Sequence, residues 1–491
     1  MGGHRLLHIK RPECSKKVKG GVDYMADQSY RSFLKKLEDQ DYLIRFTREV
    51  DPLTNMAAVE WKTYNEMGKS SLFTNIKGHK GWHACSQILA DKKRWAMALE
   101  IKESELHDTI SQRMKCPVET VEVGSDQAPV KQVILTGDEV DLYDFPSMIT
   151  SEDDGGRYLA SGMAIIRDPD TGVRNMSVHR QQVMDKDKTG FIMLPRHARR
   201  IYDKYRDRNA PLPVAMVYGA HPAIFLCAAF TTSYGTDELT LAGALVGEPI
   251  RMVRCETLDL EVPAEAELVV EGEVLPNHTE PEGPYGEVTG TYAEKGTAEI
   301  FKAKLITRRK DPIFYALHSG FPVTDAQSTM ALGIEVSTQE HIRNVEGGLD
   351  LLDVRTITSA GAMMLVIKMR PKVEGQAKTA LMAALSGPFL HPKIAVAVDE
   401  DIDAGDPRQV MWAIANRVHA ERDVIMIPNT RVFGLDKISP VVPGQSGHHR
   451  IGTKWMIDAT IPAAIQGEDR KRFDCAMPKS LDSVNLEDFL P

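Results

Sequence analysis

Between about Val130 and Ile306 the chain is written as short β-branched runs broken by Gly, Pro and Asp turns, among them KQVILTG, RNMSVHR, IRMVRCETLDLEV, AELVVEGEVLP and FKAKLIT. Many short strands at turn-punctuated spacing predict a barrel or sandwich. One helix interrupts this β grammar: Pro195 suits a first helical position, and Ala198, Ile201, Tyr202 and Tyr205 recur at helical spacing behind it.

The flanks read differently. On the N-terminal side, Ser29-Tyr30 opens an amphipathic segment with Phe33, Leu34 and Leu37 on one face, followed by the strand-like YLIRFTREV. Helices and strands go on mixing through Lys115, which predicts a small α/β domain. Beyond Gly320, MMLVIKM and KIAVAVDED read as buried strands, and QAKTALMAAL and PRQVMWAIANRV as helices, the signature of a βαβ layer. From IDATIPAAIQGEDRKRF onward the charged, Pro-containing sequence suits a surface tail or an arm reaching a neighbouring subunit. The expected organisation is mixed α/β: residues 1–125, with 1–28 a flexible tail, then a β-barrel domain over 126–320, then an α/β domain over 321–491. A chain of 491 residues has room for several cores.

Hydrophobic residues are 42% and charged residues 26%, near the globular averages of about 45–50% and 25%, which favours neither a disordered nor a membrane class. A formal net charge of -9 leaves no footprint for nucleic acid or an anionic membrane, so neither is an expected partner. Six cysteines lie far apart without a CxxC pair and read as reduced thiols. The basic N-terminus lacks the apolar core of a secretory signal; a cytoplasmic location is the simpler reading and a mitochondrial presequence the other.

Four segments carry candidate chemistry. In PEGPYGEVTGTY, Glu282 and Glu287 lie five residues apart across Gly283, Pro284 and Gly286. A tight bend there would bring both carboxylates to one cavity wall for acid/base work; a solvated turn with two surface acids is the competing explanation. In RNMSVHR, an extended strand would put Asn175, Ser177 and His179 on one face and Met176, Val178 and Arg180 on the other. An Arg buried in such a strand needs a carboxylate, whereas at a sheet edge it needs only water.

His197 falls in the first turn of the helix near Pro195, where free N–H groups and the dipole favour phosphate and keep an imidazole neutral enough for a metal; a solvated polar residue is the bland alternative. Glu238, in GTDELTLAGALVGEP, opens a helix, where capping alone would explain an acid. Together, Asn, His and Glu donors suit Mn²⁺ or Mg²⁺ bridging to phosphate. GxGxxG after a strand, a P-loop, GxSxG and HExxH are all missing from the sequence.

These segments, in this order and spacing, resemble the UbiD family of reversible decarboxylases, and the likeness runs on through ILTGDEVDLYDFPSM, DGGRYLASGMAI, PRHARRIYDKYR, VDEDIDAGDPRQVMWAIANR and KWMIDAT. The resemblance implies an N-terminal α/β domain, a central split β-barrel holding prenylated FMN, and a C-terminal α/β domain with oligomer contacts, in a dimer or hexamer. It assigns Asn175, His197 and Glu238 as ligands of Mn²⁺ (or Mg²⁺) beside K⁺. Asn175, Met176, Ser177, Val178, His179, Arg180, Arg196, His197, Glu238 and, through a looser alignment, Lys393 fall on the cofactor, and Arg180, Glu282 and Glu287 form the catalytic network. Arg196 and His179 depart from the Gln and small residue of some relatives.

The implied reaction removes CO₂ from an aromatic, heteroaromatic or α,β-unsaturated acid. The carbanion left on an sp² carbon is orthogonal to the π system, so an electron sink is required, and the modified flavin supplies it. A separate flavin prenyltransferase is then a partner. Carboxylation in the reverse sense, an aryl-CoA thioester substrate, and a catalytically degenerate assembly subunit stay open at this point.

Overall fold

The computed structural model describes residues 27–345, 347–443, 449–479 and 481–489. The tail expected over 1–28 lies outside the described residues up to 26 and stops short of its expected end. Gln28 is buried, its amide donating to Glu248 Oε1 at 2.7 Å and to the Pro249 carbonyl at 2.8 Å. Ser29 then caps the helix Tyr30–Asp39 by accepting from the Ser32 N–H at 3.2 Å. Tyr30, Phe33, Leu34 and Leu37 form its buried face, the one the sequence periodicity picks out.

Strands Leu43–Phe46, Ser70–Phe73, His83–Ser86 and Ile313–Tyr315 make a four-stranded N-terminal sheet in that order. The last of them follows the barrel in sequence and pairs in parallel with His83–Ser86. Segment 313–324 is thereby anchored to the N-terminal layer.

The barrel consists of β1 (Tyr158–Arg167), β2 (Arg174–Asp185), β3 (Lys188–Phe191), β4 (Leu212–Tyr218), β5 (Leu268–Glu282) and β6 (Gly296–Arg308). All neighbours are antiparallel in the order β5-β4-β1-β2-β3-β6, and β5 also pairs with β6, so the sheet closes. Closure leaves these strands no free edge. Alternation sorts the side chains: Ile166, Val183, Phe191, Met216, Val270 and Phe301 share one cluster, while Met163, Ile165, Met176 and Val217 share another with two short helices. Those helices, α2 (Pro222–Ala229) and α3 (Glu238–Val246), are apolar nearly all round and correspondingly buried. Helix α1 (His197–Asp207) begins two residues after Pro195, with Arg196 in the capping position, so Pro195 precedes the helix and does not open it.

The described residues form two compact units, one running to Val336 and the other starting at Ser337. In the second, strands run 350–356, 364–370, 394–398, 450–459 and 424–432, the middle three parallel and both edges antiparallel. The helices Gln376–Leu385 and Pro407–Arg417 are those the sequence reading placed there. The expected C-terminal tail is partly built into this unit: Arg470 pairs with Asp399 at 2.7 Å and Arg417 holds the Phe473 carbonyl at 2.8 Å. Cys85, Cys227, Cys255 and Cys475 are free, as expected.

Candidate active site

Two polar clusters stand at either end of the stretch Asn175 to Arg180 of β2, roughly 16 Å apart by the rise of a strand. At the first, Asp237 caps α3 by accepting from the Leu239 N–H at 3.0 Å. Capping therefore does not explain Glu238, whose side chain turns inward and accepts from the Met176 N–H (2.8 Å), the Thr232 hydroxyl (2.9 Å) and the Asn175 amide (3.1 and 3.2 Å). Burial pushes its carboxyl up to about 7, against the hydrogen bonds from Met176 and Thr232 that pull it down.

The Asn175 Oδ1 is buried and has no hydrogen-bond partner among the described residues. It lines a small cavity with His197, Asp168, Arg174 and Tyr234. His197 is the first residue of α1; burial, then the Arg196 and Arg200 charges, hold its imidazole below the ordinary range and so neutral near pH 7. Asn175 Oδ1 and the neutral His197 imidazole share that cavity, and the buried Glu238 carboxylate is joined to Asn175 through the Asn175 amide; an amide oxygen, an imidazole and a carboxylate fit a divalent cation, which would give Asn175 Oδ1 a partner. Among the described residues no three His, Cys, Asp or Glu side chains gather as a metal cluster; this donor set is mixed. Arg196 is exposed and donates to Thr231 Oγ1 at 2.8 Å.

Between the clusters, β2 alternates as its sequence predicts. Met176 and Val178 pack toward α2 and α3. His179 stacks on Phe191 at 4.5 Å; its Nδ1–H donates to the Ile192 carbonyl at 2.9 Å, and Nε2 accepts from the Ser177 hydroxyl at 2.8 Å. Burial pulls its pKa down to about 4, so the ring is neutral across the physiological range.

At the other end, the solvated-turn and edge-strand explanations both fail. Glu282, the last residue of β5, offers both oxygens to Arg180, at 3.3 Å from Nε and 3.3 Å from Nη2, and Arg180 Nη1 meets Glu287 Oε1. The Arg180 guanidinium also lies over the Tyr285 ring, 4.9 Å from its centroid, and Tyr158 packs behind that ring at 4.4 Å. The bend between the acids contains a cis Gly283-Pro284 bond, with Gly283 at φ +92°. It is held by Gln182, which accepts from the Gly283 N–H at 3.0 Å and donates to the Gly155 carbonyl at 2.8 Å. Gly155 is obligatory here, since a Cβ would stand 2.4 Å from the Gly283 carbonyl oxygen.

Sequence reasoning missed Thr232, Tyr158, Tyr285, Gln182 and Arg174. Arg174 is locked by Asp237 (2.9 Å), Glu261 (3.1 Å) and Thr120 (3.0 Å) beside the cavity. Tyr285 sits inside the PEGPYGE motif, Arg174 opens RNMSVHR and Tyr158 lies in DGGRYLASGMAI, so these three were findable; Thr232 and Gln182 stand outside those motifs. Lys393 lies in the second unit just before strand Ile394–Val398, its ammonium 3.0 Å from both oxygens of Asp436. No helix of the described residues is long and apolar enough to cross a membrane.

Three models of the 3-octaprenyl-4-hydroxybenzoate carboxy-lyase match in tandem: the N-terminal domain over residues 34–114, the Rift-related domain over 121–322 and the C-terminal domain over 328–459. The chain is 31% identical over 457 residues to the phenolic acid decarboxylase of Bacillus subtilis, covering 90% of this chain and 94% of that one. Among solved structures it is similar to the UbiD-class enzyme HmfF from Pelotomaculum thermopropionicum in complex with FMN. There the TM-score is 0.85 and the identity 32%, over 94% of this chain and all of that one. An evolved dimeric form of HmfF in complex with prenylated FMN gives a TM-score of 0.82, again at 32% identity, over 94% of this chain and 100% of that one. Architecture, tandem domain matches and full-length likeness agree: the chain belongs to the UbiD family and is a carboxy-lyase of that class.

Proposed function

We propose that the chain catalyses the reversible, non-oxidative decarboxylation of an aromatic, heteroaromatic or α,β-unsaturated carboxylic acid with prenylated FMN. One observation carries the residue roles: a single arginine is held between two carboxylates of unequal exposure. The Glu282 side chain is 2% exposed and the Glu287 side chain 13%. Glu282 is the fixed partner of Arg180, which binds and orients the substrate carboxylate. Glu287 reaches both Arg180 and water, so it can take up a proton between turnovers and deliver it to the carbon that loses CO₂.

Asn175, His197 and Glu238 would hold Mn²⁺ or Mg²⁺ against the cofactor phosphate, with K⁺ nearby, and the N–H groups at the start of α1 would complete that phosphate site. When bound, prenylated FMN supplies the electron sink that no side chain here provides. The Met176–His179 stretch would line it, and Arg196 and Lys393 are assigned to the same cofactor. An aromatic acid is favoured because the relative from B. subtilis is named for phenolic acids. A flavin prenyltransferase is the implied supplier, a cytoplasmic homo-oligomer the implied form.

The test is protein co-expressed with a flavin prenyltransferase. Absorbance and mass analysis of the released cofactor are followed by CO₂ detection across aromatic and acrylic acids. Prenylated FMN with manganese, and CO₂ from one acid class, is the expected result. Protein that takes up no flavin under those conditions overturns the proposal.

A further inference from the structure

Glu287 stands on a two-residue-wide turn, its N–H bonded to the Thr291 carbonyl at 3.0 Å and its carbonyl accepting from the Gly290 N–H at 2.9 Å. Such a turn does not by itself fix where a side chain points. Both neighbours of Glu287 are tied from outside it. On one side Asp154 Oδ1 accepts from the Gly286 N–H at 2.8 Å. The other oxygen of Asp154 gathers the Thr150 N–H (3.1 Å), the Thr150 hydroxyl (2.7 Å) and the Ser151 N–H (2.9 Å). On the other side the fully buried Gln327 donates through Nε2 to the Val288 carbonyl at 3.0 Å and to the Gly320 carbonyl at 2.8 Å.

The residue types are informative. Gln327 is the third residue of the helix Asp325–Val345, and its Oε1 accepts from the Thr324 N–H at 2.8 Å, the reach-back half of a capping box. Capping alone would be served as well by Glu. A carboxylate, however, would face two carbonyl oxygens with no proton to offer, whereas the amide accepts at one end and donates twice at the other. Asp154 shows the converse: its two neighbours' sides both present donors, so a carboxylate satisfies both and an amide satisfies one.

We infer that Asp154 and Gln327 are positioning residues that clamp the Gly286–Val288 backbone from opposite sides and thereby set where the Glu287 carboxyl sits relative to Arg180. The inference rests on the proposed role of Glu287 as proton donor. Neither residue touches the catalytic carboxylates directly in the hydrogen bonds above; the effect runs through one peptide unit on each side.

The experiment compares wild type, Glu287→Gln, Gln327→Met, Asp154→Asn, and each of the last two combined with Glu287→Gln, as full-length flavin-loaded protein. kcat and KM for CO₂ release are measured alongside flavin content. Amide hydrogen exchange of segment 285–291 is measured in the flavin-free proteins. Gln327→Met and Asp154→Asn are each expected to lower kcat, by up to about 10²-fold for a displacement near 1 Å, with KM and flavin content unchanged and faster exchange in that segment. On the Glu287→Gln background neither should cost anything further, because the group being positioned is gone. Undiminished kcat in both single variants, or an equal loss on both backgrounds, overturns the clamp. Should Gln327→Met fail to fold, Asp154→Asn, on a half-exposed loop, decides alone. Glu287→Gln turning over normally would instead remove the proton-donor role, and the clamp's purpose with it.

Discussion

Replacing Glu282 by Gln isolates what holds Arg180 in place. The carboxylate gives the guanidinium two parallel contacts of 3.3 Å, longer than the 2.7–2.9 Å of the strongest charge-assisted pairs. Gln keeps the volume but turns one acceptor into a donor that faces an N–H, so one contact is lost outright and the other loses its charge. Charge-assisted hydrogen bonds contribute about 1.5–3 kcal/mol each, and the stretched geometry argues for half of what two would give together, about 1.5–3 kcal/mol in all. The full penalty of a stranded buried charge does not apply, because Arg180 retains Glu287 and the Tyr285 face. If that energy keeps the guanidinium aimed at the substrate carboxylate, kcat/KM falls roughly ten- to a hundredfold, at 1.4 kcal/mol per decade. The assay is initial-rate CO₂ release over a substrate series, with flavin occupancy measured on the same samples. Occupancy should not change, because the Asn175–His197–Glu238 cluster lies at the other end of β2. Unaltered kcat/KM in Glu282→Gln, beside a crippled Glu287→Gln, would refute the reasoning and leave Glu287 as the sole anchor of Arg180.

Two further outcomes follow from the same geometry. Thr232→Val removes a hydroxyl that orients Glu238; if Glu238 is the proposed metal ligand, manganese affinity, titrated by metal analysis or by flavin retention in chelator, should drop about 10- to 100-fold. His179 titrates near 4 when folded and near 6.5 when unfolded, so between those values the unfolded chain binds more protons. Its contribution to stability is therefore complete above about pH 6.5 and is lost as pH falls toward 4. A melting-temperature series over that window should slope more steeply for wild type than for His179→Gln, and parallel curves would show that the ring is not buried neutral.

How much of this was legible in the sequence depends on how far apart the interacting residues lie in the chain. Period-two alternation within one strand set the faces of Asn175 to Arg180, and the capping Ser29 and the helical spacing of Ala198, Ile201 and Tyr202 set two helices, all from local rules. Local rules also misled: Pro195 suits a first helical position, yet α1 waits for His197, and Glu238 suits a cap that Asp237 supplies. What composition and periodicity could not contain is the meeting of Arg180 with Glu282, 102 residues away, or of Asn175 with Glu238, 63 residues away. β2 and β5 are not adjacent on either side of the sheet; β3 and β6 intervene one way, β1 and β4 the other. Glu282 reaches Arg180 because β5 pairs with β6 opposite Gly296, β6 pairs with β3, and β3 with β2, each step antiparallel. A barrel with the same strands left open between β5 and β6 would keep every local signal and lose that registration. The Arg180–Glu282 pairing is thus a property of closure: the cost of burying an arginine pointed to a carboxylate partner, and the family resemblance joined Arg180, Glu282 and Glu287 in one network.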